Sequence, residues 1–348
     1  MHFVSISSSE MSFSINVISL FLFIKNNFYF IFATKSHINN AFSTIGYANI
    51  IRFFTKCTFY LTFFMKQLKN NFITALSDLY EASEINEIFY ECVSHISGKT
   101  RSQIIMSLSD KASDEIIKQC DMLLSRLKKG EPMQYGLGFE WFDGMKFAVD
   151  SRVLIPRPET VALVDEIDKL KIKNAKCKMR VLDIGTGSGA IAVAVKKRIP
   201  YAEVSAVDVS KDAIAVASTN AKNNGADINF ICDDALSDSF LSGCAPFNVI
   251  VSNPPYICPD EKAEMRTNVL DFEPHLALFV PQDEPLLFYN KIAKFAINNL
   301  ESDGALLFET NVAYVHDVKK MMSETGFSDV VVIKDCFDRE RFVIGKKI

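Results

Sequence analysis

The sequence predicts an α/β protein in which a Rossmann-like sheet of seven strands follows a small N-terminal helical domain and a β-hairpin linker. Three observations lead there. From Met179 onward, short β-branched runs alternate with helical stretches, the pattern of a mostly parallel sheet covered on both faces. The first of those runs leads straight into Gly185-Thr186-Gly187-Ser188-Gly189 and then an apolar helix. Upstream, residues 65–129 repeat apolar side chains at helical spacing.

Composition breaks at Met65. Residues 1–64 hold 13 of the 29 phenylalanines and a single acid, Glu10, so they differ in kind from the balanced sequence that follows. A membrane anchor over 11–33 has the length to span, but Lys25, Asn26 and Asn27 interrupt it. A signal or transit peptide would need an early basic region and a small-residue cleavage site, and neither is clear. The favoured reading is a non-domain extension translated from an early start, with the true start at Met65 and residues 1–64 dispensable. No membrane association is expected.

Residues 65–130 form the helical domain. Leu68, Phe72 and Leu76 recur on one face, then Ile85, Ile88, Phe89 and Val93, then Ile104, Ile105 and Leu108. The last helix begins at Ser109 or Asp110 and runs to about Lys129, before Gly130 and Pro132. Residues 131–160 make the linker, with Asp143-Gly144 marking a two-stranded hairpin. Residues 161–348 make the α/β domain. Its strands lie near 179–185, 203–209, 229–234, 247–252, 304–310, 328–334 and 341–346, and its helices near 189–198, 211–223, 285–300 and 314–325. The last two strands are close enough in sequence to pair antiparallel at one edge.

Charge and cysteine usage narrow the classes. A net charge of -4 provides no global basic field for a long nucleic acid. The eight cysteines show neither CxxC pairs nor companion histidines at metal spacing, which speaks for reduced thiols in the cytoplasm and against a metal site.

The glycine-rich turn lets the backbone approach a ligand without Cβ atoms in the way. Asp183 sits at the carboxyl end of the strand that precedes it, where open parallel sheets bind ligands. No Gly-Lys-Ser/Thr follows, which disfavours a phosphate loop; the turn alone leaves a dinucleotide site open. Asp208 ends the second strand, where an acid accepts ribose hydroxyls, and Asp233 and Asp234 end the third, where a carboxylate takes an adenine amino group.

Asn253-Pro254-Pro255-Tyr256 directly follows the fourth strand and is the most informative string in the chain. The Asn253 side-chain oxygen and the Pro254 carbonyl are two acceptors at one place, which suits an NH2 group. A carboxamide nitrogen is a poor nucleophile because its lone pair is delocalised. Fixing both N–H bonds turns that lone pair toward a methyl sulfonium held by the glycine turn, and such positioning is worth roughly 7–11 kcal/mol. Tyr256 is expected to stack on the planar amide and exclude water.

These strings, with "EPMQYGLG", "VLIPRPET", "DFEPHLALF" and "DRERFVIG", resemble the release factor glutamine methyltransferases (the HemK/PrmC type) over about residues 65–348. The resemblance implies S-adenosylmethionine as cofactor, residues 65–130 as a substrate-recognition domain, and the glutamine of the Gly-Gly-Gln loop of peptide chain release factors as the methylated group. Carried over by position, Gly185, Thr186, Gly187, Ser188, Gly189, Asp208, Asp234 and Ala235, with Asp183 before them, look like cofactor contacts. Asn253, Pro254, Pro255 and Tyr256 look like substrate contacts, with Asn253 also near the cofactor and Asn253, Pro254 and Tyr256 carrying the chemistry. The chain departs from the family pattern at Ala235, where a bulkier residue is usual and Leu236 is the expected cover for adenine, and at Glu309, Thr310, Asn311 and Tyr314. A cytoplasmic monomer that holds no nucleic acid stably is expected. The alternatives are a ribosomal-protein glutamine methyltransferase and an adenine-amino methyltransferase of DNA or RNA. The latter would use the same motif on a flipped base.

Overall fold

The structure is a computed structural model. It describes residues 17–24, 27–34, 64–170 and 179–348. The chain divides into two compact units, Met1–Cys120 and Asp121–Ile348. Among the described residues no helix is long and apolar enough to cross a membrane.

In the first unit, strands β1 (Val17–Ile24) and β2 (Asn27–Thr34) pair antiparallel. The extension expected over residues 1–64 otherwise falls outside the described residues. Three helices follow, α1 (Met65–Leu76), α2 (Ala82–Ser97) and α3 (Arg101–Met106). Two of the predicted stripes are buried, Leu68, Phe72 and Leu76 on α1 and Ile85, Ile88, Phe89 and Val93 on α2, whereas in the third Ile104 is buried but Ile105 is exposed, because the short α3 turns only one side of itself to the core. Phe72 and Phe89 meet edge to face at 5.5 Å. Helix α4 (Asp114–Leu127) begins later than the sequence suggests. The Leu108 and Asp110 carbonyls accept from the first amides of α1, Lys66 at 2.9 Å and Met65 at 3.1 Å, so residues 108–110 cap α1 instead of opening α4. Ser113 takes over as the cap, accepting from Ile116 N–H.

The second unit opens on the end of α4 and a short helix the sequence reading lacked, α5 (Met133–Leu137), stopped by Gly138 in the left-handed region. Hairpin strands β3 (Phe139–Phe142) and β4 (Met145–Ala148) follow. Their turn places Asp143 at φ 50° and Gly144 at φ 71°, as a two-residue hairpin requires. After a 3-10 turn at Pro158–Thr160 comes α6 (Val161–Lys169), also unanticipated.

The sheet has seven strands, as predicted: β5 (Arg180–Ile184), β6 (Glu203–Asp208), β7 (Asn229–Cys232), β8 (Phe247–Ser252), β9 (Leu300–Glu309), β10 (Ser328–Lys334) and β11 (Glu340–Lys346). Between them lie helices α7 (Ala190–Arg198), α8 (Lys211–Asn223), α9 (Thr267–Phe272), α10 (His275–Leu278), α11 (Leu287–Asn299) and α12 (Val315–Thr325). Their order across the sheet is β10-β11-β9-β8-β5-β6-β7. The edge hairpin is antiparallel as expected, and its second strand, β11, inserts between β10 and β9.

Both faces of the sheet are covered, and the period-2 alternation sorts the side chains. Val181, Val249, Val251, Leu307 and Phe342 join the core with α6 and α7, whereas Leu182, Ile250, Leu306, Phe308 and Val343 join the core with α11 and α12. Residues Ala190–Val195 of α7 are buried on every side, which explains why that stretch carries no polar stripe.

Candidate active site

Strands β5 and β8 are parallel neighbours, with Ile184 opposite Ser252. The two segments that leave the sheet after them, the glycine turn and Asn253-Pro254-Pro255-Tyr256, therefore emerge side by side. Ser252 ties the pair by donating from Oγ to the Ile184 carbonyl at 2.6 Å. One cleft opens over these carboxyl ends.

The glycine turn leans on β6. Gly185 and Thr186 N–H donate to the Val207 carbonyl at 2.8 and 2.9 Å. Asp208 holds the turn with Oδ2, which accepts from Gly187 N–H, while Oδ1 accepts from Ser210 N–H, at 2.9 Å each. Burial raises its pKa, and these amides oppose the shift. Gly185 and Gly187 have positive φ, and a Cβ built on either meets no protein atom within 4 Å, so both face open space. Gly189 plays a different part. A Cβ there would lie 3.0 Å from Ala217 Cβ on α8, which marks a close packing of helix on turn.

Asp183 is fully buried beneath the turn. Its Oδ2 accepts from Thr186 Oγ1 at 2.7 Å, while Oδ1 has no partner. Burial pushes its pKa up to about 7, against the Thr186 hydroxyl. After β7, Asp233 spends its two oxygens on Asp234 N–H and Leu241 N–H, both at 2.9 Å. Asp234 is exposed, with Oδ1 accepting from Leu236 N–H. Gly185, Thr186, Gly187, Ser188, Asp208, Asp234, Ala235, Asn253, Pro254 and Pro255 all line the cleft. Asp183, Gly189, Leu236 and Tyr256 are not among its lining residues.

Among the described residues, neither the Asn253 side chain nor the Pro254 carbonyl has a hydrogen-bond partner within the chain, so both remain available to a ligand. Tyr256 is half-buried. Its amide donates to the Leu278 carbonyl at 3.2 Å. Burial and then Glu309 push the phenol up to about 12, opposed by the positive charges of Arg341 and Arg157.

Several side-chain partnerships that the sequence reading did not foresee complete the site. Glu273, buried to 3% exposure, accepts from Arg157 Nη2 at 2.6 Å and from Ile155 N–H at 3.1 Å. This joins "VLIPRPET" to "DFEPHLALF" and sets Arg157, Pro274, Leu276 and Ala277 along the cleft. Tyr135 donates to the Val153 carbonyl at 2.6 Å, which binds "EPMQYGLG" to the same segment. Buried Asn220 on α8 bonds Ser188 and both backbone groups of Ala148, holding the hairpin to the turn. Thr160 donates to buried Glu309 at 2.6 Å. Asn311 donates to the Tyr256 carbonyl and the Glu261 carboxylate, so one position that departs from the family pattern braces the segment after the proline motif. Cys258, Asp260 and Glu261 bring ligand-type atoms within 4.8 Å of one another, but the Glu261 carboxylate is already engaged by Asn311 and by Cys258 N–H.

A family model described as PrmC N-terminal domain matches residues 67–138, and one described as Methyltransferase small domain matches residues 160–270. A protein of Flavobacterium psychrophilum named release factor glutamine methyltransferase is 38% identical over 280 residues, 80% of this chain and 98% of that protein. A protein of the same name from Bacteroides thetaiotaomicron is 39% identical over 273 residues, 78% of this chain and 96% of that one. Among solved structures, a ribosomal protein L11 methylase from Lactobacillus delbrueckii subsp. bulgaricus aligns with a TM-score of 0.38 at 21% identity, covering 55% of this chain and 81% of that one. Relatives matched over nearly their whole length, together with the N-terminal and catalytic family models in the expected order, establish that the chain belongs to the release factor glutamine methyltransferase family.

Proposed function

We propose that this chain transfers the methyl group of S-adenosylmethionine to the side-chain amide nitrogen of the glutamine in the Gly-Gly-Gln loop of peptide chain release factors. The observation that carries the reading is the pair of unpartnered acceptors, Asn253 Oδ1 and the Pro254 carbonyl, beside a glycine turn open to the cleft.

The residues present fit the cofactor. Gly185 and Gly187 leave unobstructed backbone, and Asp208 and Asp234 offer carboxylates along the cleft. Bound there, S-adenosylmethionine supplies an electrophilic methyl group. Asn253 and Pro254 hold the two N–H bonds of the substrate amide, which takes the nitrogen out of conjugation and aims its lone pair. Pro254 and Pro255 fix the course of the backbone and bring no N–H donors to it. The walls formed by Pro156, Pro274, Leu276 and Phe288 exclude water. No strong base is required, because the methylated amide nitrogen is strongly acidic until it sheds its proton.

Residues 65–130 act as the recognition domain ahead of the 131–160 linker and the catalytic domain from 161. The enzyme works as a monomer in the cytoplasm, without stable nucleic-acid binding. Labelled-methyl transfer tests the reading directly. Label should appear on a purified release factor and not on one whose loop glutamine is replaced by alanine. Equal labelling of both, or preferential labelling of ribosomal protein or DNA, would overturn the substrate assignment.

A further inference from the structure

Arg157 and Glu273 form a charged pair on the cleft wall that amide activation does not use. The Arg157 side chain is 34% exposed, and its Nη2 donates at 2.6 Å to Oε1 of Glu273, whose own side chain is 1% exposed. The other Glu273 oxygen accepts from Ile155 N–H at 3.1 Å, so both oxygens are committed. A buried carboxylate held in this way orients the guanidinium that it meets. Among the described residues, Nε and Nη1 of Arg157 have no hydrogen-bond partner.

The cleft is polarised along the sheet. Asp208 ends β6, and Asp233 and Asp234 follow β7. Arg157 enters from the opposite side. The turn that follows it, Pro158–Thr160, is tied by the Thr160 hydroxyl to Glu309, the last residue of β9. The strand order β9-β8-β5-β6-β7 sets the acids and Arg157 apart, with the glycine turn and Asn253 between them. Arg152 is the other cation along the cleft, and it spends Nε and Nη2 on Asp150, at 2.8 and 2.6 Å.

S-adenosylmethionine is long and unevenly charged. Its adenosine end carries hydroxyls and an amino group that seek acceptors, and its far end carries a carboxylate, the only anion in the molecule. We propose that Arg157, oriented by Glu273, receives that carboxylate. The proposal rests on the reading of the cleft as the S-adenosylmethionine site. With the ribose on Asp208, the amino-acid end passes the glycine turn toward β8 and β9, where Arg157 stands. A guanidinium meets a carboxylate through two parallel N–H bonds, which set its angle as well as its place. Arg157 is then a cofactor-binding residue and Glu273 a positioning residue.

The test is calorimetric titration of the full chain with two ligands, S-adenosylmethionine and its decarboxylated form. The second keeps the sulfonium and the ammonium and lacks only the carboxylate. The parent should prefer S-adenosylmethionine by about 10–100-fold, the scale of a hydrogen-bonded pair of charged groups. Arg157→Met should lose most of that preference by binding S-adenosylmethionine more weakly, while its affinity for the decarboxylated ligand stays within about twofold of the parent's. Glu273→Gln should lose part of the preference in the same way. Arg157→Met strands the buried Glu273 carboxylate and should melt at a lower temperature, but a ratio between two ligands is insensitive to a uniform loss of folded protein. Arg157→Lys keeps a positive charge beside Glu273 and carries the test if Arg157→Met does not fold. With its ammonium engaged by Glu273 it has no fork left over, so its preference should also fall. No preference in the parent, an unchanged preference in the folded variant, or an equal loss for both ligands would overturn the proposal. So would normal cofactor binding in Arg157→Met together with a raised KM for release factor, which would assign Arg157 to the protein substrate. In each of these cases the parent's own binding of S-adenosylmethionine leaves the cofactor reading standing. If the parent binds neither ligand, that reading fails as well.

Discussion

Two glycines in one turn should fail in opposite ways when each is replaced by alanine. Gly187 has φ +54° and Gly189 φ +81°, so an L side chain at either costs about 1–2 kcal/mol from backbone conformation alone. At Gly187 nothing is added to that, since the new Cβ meets no protein atom within 4 Å. At Gly189 the new Cβ falls 3.0 Å from Ala217 Cβ and 3.2 Å from Ala217 Cα, and α8 is a core helix that cannot simply retreat. Overpacking of this kind adds about 1–3 kcal/mol, giving a total near 2–5 kcal/mol for Gly189→Ala. The ligand side runs the other way. The Gly187 methyl projects into the cleft and should weaken S-adenosylmethionine binding by at least about tenfold, or 1.4 kcal/mol. Urea denaturation of the free protein and calorimetric titration with the cofactor measure the two quantities separately. The reasoning is refuted if Gly187→Ala destabilises the protein as much as Gly189→Ala and yet binds the cofactor normally.

Asn253→Ala should lower kcat by about 100–1000-fold with cofactor binding retained, because the group acts most strongly in the transition state; single-turnover transfer and calorimetry separate the two effects. Asp208→Ala should weaken cofactor binding by about 1.5–3 kcal/mol through loss of a charged acceptor, and an unchanged dissociation constant would refute the ribose assignment. Burial raises Asp183 from 3.8 to about 7, so its contribution to stability is fully present below pH 3.8 and is lost as pH rises through 7. Asp183→Asn should flatten that fall, and parallel stability profiles of the two cofactor-free proteins would show the carboxylate is not the cause.

The repetitive parts of the molecule were legible because periodicity encodes them. Val181 and Leu182, or Val249 and Ile250, face opposite cores, and a reader of the alternation recovers six of the seven strands to within a residue or two; β9 begins at Leu300, four residues before the expected start. The acids at strand ends were legible for the same reason: once Asp208 and Asp234 end neighbouring parallel strands, they must lie at one edge. The beginning of α4 was not, because the competing use of residues 108–110 as a cap for α1 depends on a contact more than 40 residues away in sequence. The same holds for Glu273 with Arg157, Thr160 with Glu309, and Arg339 with Glu159, pairs separated by 116, 149 and 180 residues. Each of these side chains read alone is an ordinary polar residue in a loop or at a strand end.

The position of β11 has a consequence for how the protein can be made. Last of the sheet's seven strands along the chain, it is second in the sheet, and β9 and β10 are joined only through it. During synthesis every other strand is available before it, so the nascent chain exposes two unsatisfied edges, one of them on β9, whose last residues belong to the active site. Pairing of sequence-distant strands is slow in itself. A message cut short before codon 340 would therefore yield a product that retains its glycine turn and its prolines yet has an open sheet, a species for chaperones and proteases to clear.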